Sequence, residues 1–108
     1  MIKDTYIKRA IYAGNFIIVF ETIEGEMRTI DFKPMLTGNM GDFTSLRNEE
    51  TFRKFYLDTN ILTWDIDLPI TSPKQINQYD IAPEYITEHS IPLVLNQGEY
   101  RIMVGERA

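Results

Sequence analysis

Apolar and polar residues along the first third of the chain fall into short runs split by turn residues, the pattern of a β-meander. Residues 6–12 are the first run, with Tyr6, Ile7, Ile11 and Tyr12 as β-formers. Ala13-Gly14-Asn15 follows, with two residues that tolerate positive φ, so a turn is expected. Residues 16–22 come next. Phe16, Ile18 and Phe20 make one face and Ile17 and Val19 the other. Both faces are apolar, which predicts a strand covered on both sides. Glu24-Gly25 marks a second turn, and residues 27–32 return as a third antiparallel strand.

The middle of the chain changes character. Pro34 ends the third strand because it has no N–H for a ladder. Met35-Leu36-Thr37 suits one helical turn, and residues 38–42 read as loop. Asn48 is the expected N-cap of the main helix, over residues 48–56. Glu49 and Glu50 sit in its first turn, and Phe52, Phe55 and Tyr56 form its apolar stripe. Asp58-Thr59-Asn60 signals a turn. Residues 61–65 read as a fourth strand with Leu62 and Trp64 on one face. Pro69, Pro73 and the polar stretch 71–75 read as surface loop. Pro83-Glu84-Tyr85-Ile86 suits a short helical turn opened by proline. Residues 93–95 and 100–104, around Asn96-Gln97-Gly98, read as a terminal hairpin. The expected fold is α+β: an antiparallel β-meander with one main helix packed on it and a C-terminal β-hairpin extending an edge.

Composition narrows the function. At 108 residues the chain is expected to be one domain over 1–108. Eleven basic against sixteen acidic side chains give a net charge of −5. That argues against binding nucleic acid or an anionic membrane, which needs clustered positive charge. The longest apolar run, residues 16–20, is far short of the roughly twenty residues of a membrane helix. The first residues lack the apolar core of a signal peptide, so a cytoplasmic location is expected. There is no cysteine and a single histidine, which removes disulfides, thiolate sites and multi-histidine metal cages.

Few residues suggest chemistry. His89 lies beside Glu88 and Ser90, but sequence neighbours on a helix do not face each other. A cation at a helix end is the simpler role. Ser45, Ser72 and Ser90 lack the glycine-flanked elbow of a nucleophile. Gly38 and Gly41 lack a phosphate-loop pattern. Glu21, Glu24, Glu26 and Asp31 flank the second turn, and Asp58, Asp65, Asp67 and Asp80 gather near the fourth strand. Paired carboxylates can hold Mg²⁺ or Ca²⁺ or move protons, though neither group has calcium-loop spacing. No cofactor is indicated. Six tyrosines and Trp64 supply aromatic surface of the kind found at interfaces. Tyr79, Tyr85, Tyr100 and Ile102 are the candidate partner-binding residues.

The order of landmarks resembles the small prokaryotic family known as domain of unknown function 2442. One stretch runs from Glu24-Gly25-Glu26 through Ile30-Asp31 to Pro34-Met35-Leu36. A second runs from Phe43 and Leu46 into the helix at Phe52. The last comprises Trp64-Asp65 and Tyr79-Asp80-Ile81-Ala82-Pro83-Glu84-Tyr85-Ile86. The likeness covers residues 6–88. Residues 66–78 are interposed where the family joins its tryptophan almost directly to the closing segment, and residues 91–108 extend beyond the family-like core. No catalytic residue is established for the family, so none carries over. Its members often sit beside a small partner gene, which implies a protein partner.

Three functions are open on these grounds. The first is a non-enzymatic binding or regulatory protein that acts through a protein partner, as an antitoxin-like neutraliser whose acidity suits a basic partner. The second is a carboxylate or metal-dependent enzyme in which Asp31, Asp65 or Asp80 converge with other acids. The third is a homo-oligomeric structural protein, such as a homodimer, pairing its 100–104 strands across a two-fold axis.

Overall fold

The computed structural model describes residues 4–38, 41–68 and 75–93. Among them run seven strands and three short helices, in an α+β arrangement of two antiparallel sheets. The first sheet has the order β1-β2-β3-β7, from β1 (Ile7–Tyr12), β2 (Ile17–Thr22), β3 (Met27–Asp31) and β7 (Ser90–Pro92). The second is β4-β5-β6, from β4 (Tyr56–Asp58), β5 (Ile61–Leu68) and β6 (Gln75–Asp80). The helices are α1 (Lys33–Leu36), α2 (Glu49–Phe52) and α3 (Pro83–His89), with a 3₁₀ turn at Gly41–Arg47.

The meander expected for the first third is present. Its β1–β2 turn runs through Gly14, Asn15 and Phe16 at φ of 87°, 55° and 61°. A bulky residue at positive φ is strained by about 1–2 kcal/mol. Phe16 offsets that by packing its ring edge-on to Phe52, 5.1 Å between centroids, while its N–H donates to the Tyr12 hydroxyl at 3.0 Å.

Two expectations are corrected. The main helix does not span 48–56. The Asn48 side chain accepts from the Thr51 N–H at 3.2 Å as expected of a cap, but α2 ends after one turn at Phe52. Tyr56 then opens β4, because Tyr56, Leu57 and Asp58 pair with Thr63, Leu62 and Ile61. Among the described residues the longest α-helix is instead α3, opened by Pro83 as expected. The second correction is that the fourth strand pairs within a separate three-stranded sheet. Gln75, which reads as the end of a surface loop, and residues 76–78, which read as interposed, join Tyr79 and Asp80 in β6, with Tyr79 opposite Trp64 and Gln78 opposite Asp65. The fourth strand is correspondingly longer than 61–65.

One core joins the sheets. Ile18, Phe20 and Ile30 face it from the first sheet; Leu62, Trp64 and Ile66 face it from the second. Phe52 is its hub, with the rings of Tyr12, Phe32 and Trp64 at 5.9, 5.5 and 5.3 Å besides that of Phe16. The pairs with Tyr12, Phe16 and Phe32 are edge-to-face and that with Trp64 is tilted, contacts that add to simple burial. Tyr12 also donates its hydroxyl to the Glu49 carboxylate, tying α2 to β1. No described helix is long and apolar enough to cross a membrane.

Candidate functional site

The two sheets differ on the faces turned away from the core. On the second sheet that face is polar and internally bonded. Tyr56 donates its hydroxyl to Asp65 Oδ1 at 2.6 Å and accepts from Gln78 Nε2 at 2.9 Å. The bond to the Asp65 carboxylate, with some burial, raises the Tyr56 pKa.

The first sheet carries a largely apolar row on the corresponding face. Pairing sets Ile11 opposite Val19, Val19 opposite Thr29 and Thr29 opposite Ile91, so these four make one row across all four strands. Ile11 and Ile91 are 38% and 63% exposed, values far above those of core isoleucines. The neighbouring row holds Arg9, Glu21 and Met27. Arg9 Nε lies 2.6 Å from Glu21 Oε1, and Glu21 is itself buried. Between the rows is a shallow depression of about 150 Å³, walled by Ile11, Val19 and Met27 with the Arg9–Glu21 pair at one side. It suits an apolar side chain, with a fixed ion pair beside it to orient polar groups.

This face corrects the expectation that β2 is covered on both sides. Ile18 and Phe20 are buried, whereas Ile17 and Val19 are only half-buried. The second apolar side of the strand belongs to a surface. Ile11, Met27 and Ile91 were not singled out from the sequence. The signal was the double apolar character of residues 16–22, which fits a buried strand and a docking strand equally well.

Of the tyrosines singled out, Tyr79 and Tyr85 lie at the core margin. Tyr79 packs on Phe43 at 4.5 Å, and Tyr85 stacks between Phe32 and His89 at 6.3 and 3.9 Å. Burial pushes both phenols above the usual tyrosine range. Tyr100 and Ile102, and the turn and return strand of the terminal hairpin, lie outside the described residues. Leu93, where that hairpin was expected to begin, donates its N–H to the Met27 carbonyl at 2.9 Å. His89 ends α3, its Nδ1 3.0 Å from the Tyr85 carbonyl oxygen.

Among the described residues the acids singled out do not converge. Asp31 lies on the first sheet and pairs with Lys33 at 3.1 Å, while Asp65 and Asp80 lie opposite Gln78 and Thr63 on the second. Among the described residues no three side chains of metal-ligating type come together. Comparison with protein-family models, with curated proteins and with solved structures found no match.

Proposed function

We propose that this chain is a small non-enzymatic binding protein that engages a protein partner through the outer face of its four-stranded sheet. The observation that carries this is the row Ile11–Val19–Thr29–Ile91 beside its depression. Contiguous exposed apolar surface rimmed by polar groups is characteristic of interaction sites. The contrast with the self-bonded polar face of the other sheet supports the choice of face.

A net charge of −5 favours a basic partner by steering encounter. The resemblance to a family whose members sit beside a small partner gene supports a prokaryotic, cytoplasmic neutraliser of antitoxin type. The test is co-purification of the neighbouring gene product with the intact chain and with Val19→Lys and Ile91→Lys. The substitutions are expected to abolish capture while far-UV circular dichroism stays unchanged. Capture that survives both substitutions refutes this face as the docking surface.

A further inference from the structure

The two edges of the four-stranded sheet are not equivalent. In an antiparallel ladder, alternate residues turn both main-chain groups to the same side. On β7, the bond from Leu93 N–H to Met27 C=O sets the phase, so Ile91 faces β3 while Ser90 and Pro92 face outward. That edge offers no free N–H. Ser90 N–H donates to the Ile86 carbonyl at the end of α3, Ser90 C=O accepts from Arg28 Nη2 at 2.7 Å, and Pro92 has no N–H.

On β1, the bond from Ala13 N–H to Ile17 C=O at 2.8 Å turns Arg9 and Ile11 toward β2, and Ala10 and Tyr12 outward. The first part of this edge is closed. Ile7 N–H donates to the Asn60 carbonyl and Ile7 C=O accepts from Asn60 Nδ2, both at 2.8 Å. A register shift between Ile7 and Arg9 places Lys8 at a bulge, a device that blunts edges. The rest is open: among the described residues, the main-chain groups of Ala10 and Tyr12 have no partner.

We propose that β1 pairs antiparallel with β1 of a second copy of this chain, about a two-fold axis through Ile11. Ala10 of each copy then lies opposite Tyr12 of the other, and the open groups form four N–H···O=C bonds. Ile11 meets its counterpart at a non-hydrogen-bonded position, where Cα atoms approach to about 4.5 Å. The row Ile91–Thr29–Val19–Ile11 continues into its symmetry mate, so the two half-faces become one continuous face eight strands wide. The two Lys8 side chains stay about 20 Å apart along the strands. An axis through Ala10 would instead set Ile11 against Arg9. This inference goes beyond the partner reading and does not rest on it.

The chain has no cysteine, so Ile11→Cys reports directly. Under mild oxidation of the intact protein, I11C is expected to form a disulfide dimer roughly tenfold or more faster than K54C, because pairing brings the two sulfurs within bonding reach. Lys54 is exposed and lies off the first sheet. Unsubstituted protein is expected to dimerise with rising concentration in sedimentation velocity, and Ile11→Lys to stay monomeric with an unchanged circular dichroism spectrum. If I11C cross-links no faster than K54C and the unsubstituted chain sediments as a monomer at every concentration, the pairing is overturned. That holds whether residues 94–108 or another protein then covers the edge.

Discussion

The indole N–H of Trp64 donates to the main-chain carbonyl of Phe52 at 2.6 Å, inside the core. This bond joins β5 to the last residue of α2 and satisfies a carbonyl that a one-turn helix leaves open. Trp64→Phe removes the donor and part of the ring. It is expected to cost about 2–4 kcal/mol, combining an orphaned buried acceptor with a cavity. Urea unfolding followed by far-UV circular dichroism checks this. A loss under about 1 kcal/mol would mean the bond contributes nothing net.

The cap of α2 is the next most local feature. Asn48→Ala removes the acceptor for the Thr51 N–H and is expected to cost about 1 kcal/mol. Asn48→Asp keeps an acceptor and is expected to retain the stability, as thermal melts would show.

The β4–β5 hairpin turns through Thr59 and Asn60, at φ of 50° and 67°. Two positive φ values in a two-residue loop make a type I′ turn, which disfavours a β-branched first residue. Thr59→Asn is therefore expected to stabilise by about 0.5–1 kcal/mol. Asn60→Ala is expected to destabilise by about 1–2 kcal/mol, because it forces alanine into positive φ and frees the Ile7 carbonyl. A pair of denaturant titrations with opposite shifts in midpoint would support this.

Stability should fall at both extremes of pH, for opposite reasons. Burial holds the Tyr79 and Tyr85 phenols above their ordinary value. A group with a raised folded-state pKa stabilises fully below its unfolded pKa and loses that contribution as pH rises through the folded one. The alkaline loss is expected to begin near the ordinary tyrosine value of about 10 and to flatten in Tyr79→Phe. Asp31 behaves conversely. The Lys33 N–H, donating at 2.9 Å, holds its carboxyl below the usual range. Its contribution is present above the ordinary aspartate value and disappears as pH falls through the folded one. Asp31→Asn is expected to shallow the acid limb of melting temperature against pH.

Much of the fold was legible in the sequence where local chemistry decides it. Gly14-Asn15 and Glu24-Gly25 specified the turns of the meander, Asn48 the start of α2 and Pro83 the start of α3. What escaped was decided at long range. Phe55 and Tyr56 continue a helical stripe from Phe52, yet pairing of Tyr56 with Thr63 wins, since one more helical turn would forgo the hairpin. Residues 75–80 set only Ile76 and Tyr79 among four polar side chains, and pairing with β5 makes them a strand. The candidate surface was hidden for a related reason. A strand apolar on both faces states that both sides seek cover, not whether a second layer or a second molecule supplies it.

Photo-cross-linking with benzoylphenylalanine at Val19 or Ile91, against Lys54 as the control position, captures whatever docks on the outer face of the first sheet. Expressed in the native host at native level, the chain is expected to give one discrete adduct with a different protein from Val19 and Ile91, and none from Lys54. The absence of such an adduct at both face positions, or equal yield at Lys54, would contradict a protein-docking role for the outer face of the first sheet.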